Sequence, residues 1–251
     1  MLSDTQLDRY ARHLVLKEIG GAGQARLMAA HVAVVGAGGI GSPAIQYLAA
    51  AGIGRLTIID DDRVELSNLQ RQTLFTTSDI GTAKAQAAAS AVARLNPDVA
   101  VVQHNTRITA QNAAKLLNSA DVVLDGCDNF TTRLAVADAA LAAQIPLVSA
   151  AVAQFEGQLG VFRGWAADRP CYRCFVGNEP ERPGTSCAEE GVLGAMTGVL
   201  GSLAALEVMR ALMPFGADSA GQLLLVDALD FRFRTIVLPK DPGCAACGQA
   251  R

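Results

Sequence analysis

The spacing of apolar residues changes several times along this chain, and each change predicts an element. His31-Val32-Ala33-Val34-Val35 is an unbroken, mostly β-branched run, the pattern of a strand covered on both faces. It stops at Gly36-Ala37-Gly38-Gly39-Ile40-Gly41, after which residues 42–51 read as a helix. Further strands are predicted over 55–60, 99–103, 121–125 and 146–150. Helices are predicted over 82–95, where Asn96-Pro97 stops the pattern, ahead of residue 121, and over 130–143. Residues 3–29 read as an amphipathic helical lead-in broken at Gly20-Gly21-Ala22-Gly23.

Strands that alternate with helices through short connections predict an α/β fold with a doubly wound, mostly parallel, Rossmann-like sheet. The rhythm changes after residue 151. Segments 158–165, 222–227 and 231–238 read as neighbouring antiparallel strands, with a long apolar helix over about 191–213 between them. Residues 166–190, rich in Pro, Gly, Cys and charge, read as a surface crossover loop. No repeat or low-complexity linker separates the two parts. The expectation is one domain over 1–251 with a continuous sheet, a nucleotide-binding half (1–150) and a second half (151–251).

A chain of 251 residues buries roughly 70–75% of its unfolded surface, enough for a core without covalent staples. The composition, 51% hydrophobic and 18% charged, fits a buried α/β core, and the net charge of −3 offers no footprint for nucleic acid. No unbroken apolar run reaches the roughly 18 residues needed to span a bilayer, and the polar start MLSDTQLDRYARH lacks the apolar stretch of a signal peptide. The expected setting is the cytoplasm, where six cysteines are read as metal ligands or reactive thiols rather than disulfides.

Gly36-x-Gly38-x-x-Gly41 lets a strand turn tightly into a helix whose N-terminal amides face a phosphate. Taken alone, it is also satisfied by a tight turn with no ligand. Asp60 follows Gly41 by 19 residues, at the end of the next predicted strand, where a carboxylate can accept both ribose hydroxyl protons. NAD is the default ligand for this pattern, but three features point to ATP. Asn68-Leu69-Gln70-Arg71-Gln72 brings a guanidinium towards the phosphates, Lys84 opens the next helix, and Asp128-Asn129 follows the fourth strand. A carboxylate at that last place repels a triphosphate unless Mg²⁺ bridges them. Singly, Arg71 or Lys84 reads as a solvated surface charge.

Cys171-x-x-Cys174 and Cys244-x-x-Cys247 each offer two thiolates from a turn, and four thiolates suit tetrahedral Zn²⁺ with no position left open for catalysis. The 69 intervening residues mean that the fold must bring the pairs together. The rival is a redox-active CxxC. Cys127 reads as a small buried residue. Cys187 has two readings, an unused loop thiol or a nucleophile ahead of a helix. His13, His31 and His104 show no metal or relay spacing.

The run GxGGIG, the acids ending the second strand, SNLQRQ, the GxxK step to Lys84, Asp125-x-x-Asp128-Asn129 and the paired CxxC motifs together resemble the MoeB/ThiF/HesA family, bacterial relatives of ubiquitin-activating enzymes. The likeness runs from Arg9-Tyr10-Ala11-Arg12 to the last CxxCG. With no C-terminal rhodanese region, the chain resembles the short bacterial form. The resemblance implies ATP-dependent adenylation of the C-terminal glycine of a ubiquitin-like sulfur carrier (MoaD- or ThiS-like, ending in Gly-Gly). Pyrophosphate is released, in the service of molybdopterin or thiamine synthesis. It implies a homodimer, a sulfur donor of the cysteine desulfurase or rhodanese type, and carrier binding by the second half. By motif, Gly36, Gly38, Gly39 and Gly41 lie against the nucleotide and Asp60 holds the ribose. Asn68, Arg71 and Lys84 attend the phosphates, Gln72 and Asn129 are further nucleotide contacts, and Asp128 organises Mg²⁺. Arg12 matches an arginine that reaches the neighbouring protomer's site, although His13 follows it where the family often has Gln. An exposed helical arginine is the plain alternative. Cys187 is implied, if anything, in a transfer step only. The competing functions are an NAD(P)-dependent oxidoreductase and a zinc-stapled nucleotide-sensing scaffold.

Overall fold

In β1 (His31–Val35) the side chains alternate between two cores: Val32 and Val34 face one, Ala33 and Val35 the other. That is how an unbroken apolar run reads in three dimensions, because successive side chains leave opposite faces of a strand and here both faces are covered. β2 (Arg55–Ile59) and β4 (Val122–Asp125) divide in the same way, with Leu56, Ile58, Val122 and Leu124 on one side and Ile59 and Val123 on the other. β3 (Ala100–His104) and β5 (Leu147–Ala153) complete a parallel set in the order β3-β2-β1-β4-β5. β6 (Glu156–Phe162), β7 (Gln222–Asp227) and β8 (Arg232–Val237) then pair antiparallel, so a single eight-stranded sheet runs through both halves as expected. This computed structural model describes residues 2–178 and 191–248.

One face of the sheet carries α3 (Gly41–Ala50), α4 (Lys84–Leu95) and α8 (Gly194–Leu212), and the other carries α5 (Ala113–Leu116), α6 (Phe130–Ala142) and α7 (Tyr172–Val176). α1 (Asp4–Leu14) and α2 (Gly20–Ala29) precede β1. Three expectations change. The glycines at 20–23 open α2 instead of breaking the lead-in; Gly23 lies so close to Met213 that an added Cβ would stand 2.4 Å from its Sδ, so packing overrides helix propensity. The crossover loop contains α7, a short helix built on the first CxxC. α8, at 19 residues and a mean hydropathy of 1.4, is by length and composition apolar enough to cross a bilayer. Its apolar character has a use within the fold, since Met196, Leu200, Ala204, Ala205 and Val208 are buried against the sheet.

Candidate functional site

The strand order reverses between β1 and β4, and a doubly wound sheet binds ligands outside the carboxyl ends of its strands at that point. Gly36 leaves β1 there with φ +87°, a value L side chains rarely adopt. Gly41 then brings α3 back so closely that a Cβ on it would lie 1.9 Å from the Gly36 carbonyl oxygen. No side chain caps α3; Ser42 N–H already bonds the Gly38 carbonyl at 2.8 Å and Pro43 has no N–H, so of its first residues Gly41 keeps the amide left for a ligand. The cleft beside this turn is lined by Gly36, Asp60, Arg107, Cys127, Asp128 and Asn129, among others.

Asp60 is central to the turn's shape. Its Oδ2 accepts the Ala37 amide at 2.8 Å and its Oδ1 the Asp62 amide at 2.9 Å. Burial pushes its pKa up, opposed by Lys84 and by those two amides. Its share of stability is therefore fullest at low pH and is lost as the pH rises through the raised value. Asp61 pairs with Arg107 Nε at 2.9 Å and Asp62 with Lys84 Nζ at 2.8 Å, so each acid of the cluster has its own partner. Lys84 is thus buried beside the cleft and held by Asp62, not dispersed in solvent.

The Asn68–Gln72 segment folds against the glycine turn. Thr197 touches Gly39 and donates to the Arg71 carbonyl oxygen at 3.2 Å, and the Gln72 amide nitrogen lies near Gly38. Arg71 Nη1 bonds the Ser67 carbonyl at 3.0 Å. Asn68 is buried, and its Oδ1 accepts the Glu65 amide at 3.1 Å, closing its own turn. Gln72 Oε1 is, among the described residues, the only buried side-chain oxygen without a partner. Asn129 caps α6 by accepting the Thr132 amide at 2.9 Å, while Asp128 is exposed at the cleft.

Arg12 is not brought to this cleft. α1 docks at the opposite, amino-terminal edge of the sheet through Tyr10 on Asn96 at 2.9 Å and Arg9 on the Leu95 carbonyl at 3.1 Å, and Arg12 is exposed there. His13 bonds Gln24, and His31 bonds Ser119 and Thr57. Cys187 lies outside the described residues.

Two groups were missed in the sequence. Arg107, just past β3, lines the cleft, and the rule that ligands sit at strand carboxyl ends, applied to β3, points to it. The other is a buried network of Asp125, Arg133 and Ser149, for which three separated residues carry no spacing signal.

The two CxxC turns do meet. Cys171 Sγ lies 3.8 Å from Cys174 and 3.6 Å from Cys244, and Cys174 lies 3.4 Å from Cys247. Zn–S bonds of about 2.3 Å in a tetrahedron set sulfurs about 3.8 Å apart, so the donor set is compatible with zinc. Burial pushes the Cys171 thiol up, an opposition to ionisation that a bound cation would reverse. Cys127 is a different kind of thiol: burial, then Asp125, raises its pKa well above normal, and its Sγ bonds the Val35 carbonyl. A hollow of about 610 Å³ adjoins the cysteines between Asp138, Arg173 and Ala246, but Arg173 already holds Asp138 and the Asn178 carbonyl.

Residues 10–246 match the sequence profile of the ThiF family. The chain is 46% identical to the SAMP-activating enzyme E1 of Haloferax volcanii, covering 99% of this chain and 91% of that one. It is also 46% identical to the sulfur carrier protein adenylyltransferase of Thermus thermophilus, covering 97% and 91%. With the adenylyltransferase and sulfurtransferase MOCS3 of Bos taurus the identity is 50% over 99% of this chain but only 54% of the relative. Among solved structures, E. coli MccB with ATP shares the fold at a TM-score of 0.83 and 23% identity, over 96% of this chain and 75% of that one.

Proposed function

The chain belongs to the ThiF family, and from that premise we propose that it uses ATP to adenylate the C-terminal glycine carboxylate of a ubiquitin-like sulfur carrier, releasing pyrophosphate. The observation that carries the reading is the cleft at the strand-order reversal. There the glycine turn into α3 and Asp60 share a cleft with the exposed carboxylates Asp61, Asp62 and Asp128, of which Asp61 and Asp62 are paired with Arg107 and Lys84. An oxidoreductase is not favoured by the relatives, which carry adenylyltransferase and E1 names.

The chemistry asks for this kind of site. A chain-terminal carboxylate has a pKa of about 3.3–3.7, so it is ionised at neutral pH and needs no general base. The obstacle is one anion attacking a polyanion, which positive charge and alignment overcome. Lys84 and Arg71 would supply charge at the phosphates, and the glycine turn would hold them. Mg²⁺, when bound, would neutralise phosphate oxygens, and Asp128 would hold it. Zn²⁺, when bound by Cys171, Cys174, Cys244 and Cys247, would be structural. The free thiols fit a reducing compartment such as the cytoplasm. A separate donor would deliver sulfur, for molybdopterin, thiamine or a related product.

Carrier-dependent ATP–pyrophosphate exchange with purified Gly-Gly-ending carriers tests this directly. Exchange with at least one of them is expected; NAD binding with no exchange on any would overturn it.

We place the carrier on the second half, at the free edge of β8. Phe231 is 84% exposed and stacks edge-on with Phe233, two residues after the exposed Leu229. Such aromatic anchors dominate interfaces. Phe231→Asp should raise the carrier KM more than about tenfold, on the hot-spot scale, and leave the ATP KM unchanged. An unchanged carrier KM would move the carrier elsewhere.

A homodimer accounts for Arg12, which its own fold carries to the far edge of the sheet. Mixing inactive Arg12→Ala with inactive Asp128→Ala and allowing subunits to exchange should restore about a quarter of wild-type activity: half the dimers are mixed, and each holds one intact site of two. No recovery in verified mixed dimers would place Arg12 within its own chain.

A further inference from the structure

A buried guanidinium is tolerated only when its donors are met, and Arg133, 6% exposed, meets them in an unusual place. Nη1 bonds Ser149 Oγ at 3.2 Å and pairs with Asp125 Oδ2 at 3.3 Å. Nη2 bonds the Ala150 carbonyl at 2.8 Å and also the carbonyl of Cys127. Ser149 Oγ in turn donates to Asp125 Oδ2 at 2.8 Å. The other oxygen of Asp125 accepts the Cys127 amide at 3.0 Å. Both peptide groups of Cys127 are therefore fixed, one by each member of a buried ion pair. On the far side Asn129 is fixed as the cap of α6. Asp128 lies between two immobilised neighbours, with its carboxylate directed by backbone it does not itself hold.

The network also reaches the cysteine cluster. The Tyr172 hydroxyl lies beside Arg133 and Ser149, and Tyr172 stands inside Cys171-x-x-Cys174. Its ring is packed edge-on against Phe162 at 5.3 Å and Phe175 at 6.2 Å, so it has little room to turn away.

We propose that Arg133 is the positioning residue for Asp128, and that Tyr172 links the placement of the Cys171–Cys174 turn to it. The inference rests on the adenylation reading only in taking Asp128 as a reaction-centre carboxylate. It gives the cysteine cluster a second consequence besides stability: the turn that binds the metal abuts the guanidinium that aims the acid.

Tyr172→Phe removes one hydroxyl and keeps the aromatic packing, and Arg133→Met removes the guanidinium. In Tyr172→Phe, hydrogen exchange of the Gly126 and Cys127 amides should quicken several-fold, while the β1 amides are unchanged. Mg²⁺ at half-maximal pyrophosphate exchange should rise several-fold with the carrier KM unaltered. In an Asp128→Asn background the same substitution should leave Mg·ATP affinity, measured by calorimetry, where Asp128→Asn alone puts it, because the effect passes through the carboxylate. Arg133→Met should act in the same direction and more strongly; if it fails to fold, Tyr172→Phe decides. Unchanged Gly126 and Cys127 exchange would overturn the proposal, and so would an equal loss of Mg·ATP affinity with and without the Asp128 carboxylate. Should the wild type show no carrier-dependent exchange, the adenylation reading falls, and the amide measurement still judges the positioning claim.

Discussion

Asp128→Ala is expected to lower carrier-dependent pyrophosphate exchange by about 10²–10³-fold, the scale for removing one preorganised electrostatic group from a reaction centre. Thermal stability should hardly move. The side chain is exposed and forms no hydrogen bond or ion pair with the described residues, and surface substitutions of that kind fall within about 0.5 kcal/mol. The separation of the two effects is the informative part. Asp125, three residues earlier and buried in the ion pair with Arg133, should differ in its stability: losing it strands a buried cation and destabilises the fold by about 3–5 kcal/mol. Exchange and melting curves on the two variants check both statements. Near-normal exchange in Asp128→Ala would remove it from the reaction centre.

Zinc removal should have the largest effect on stability. Protein purified without chelator should carry one zinc per chain. A ligand bound only by the folded state adds about 4 kcal/mol at a free concentration 1,000 times its Kd. For a domain of this size that corresponds to a Tm about 8–16 °C lower in the metal-free protein, taking about 2–4 °C per kcal/mol. Cys244→Ser should reproduce the loss. The cluster earns its effect by joining α7, in the crossover, to the C-terminal turn, two segments otherwise tied by contacts such as Lys240 to the Gly164 and Ala166 carbonyls. Zinc-free protein with an unchanged melting curve would refute a structural metal.

The parallel half of the sheet could be read from the chain because its physics is local. The β-branched runs at 32–35 and 122–124 are short, apolar on both faces and closed by Gly or Asp, and no helix accommodates that pattern as well. The glycine turn and Asp60 were legible for the same reason: their spacing is fixed by one strand–helix–strand unit. α7 was hidden because its five residues are held by cysteines whose partners lie far along the chain. Gly23 of α2 misled because its reason is Met213, far along the chain. Arg133 illustrates the limit most sharply. In sequence it is one more arginine on an apolar helix, and only the packing of β4, β5 and α6 makes it a buried cation surrounded by carbonyls.

The distance between the cysteine pairs also sets an order of events during synthesis. Cys244 emerges 73 residues after Cys171. At about 5–20 residues per second, translation leaves the first pair waiting roughly 4–15 s for the second. The parallel strands are complete by then, since β5 ends at Ala153. For those seconds the nascent chain presents an arranged pair of thiols without its counterpart. A metal that needs all four thiols would be captured only after that interval, and oxidation has its opening before it.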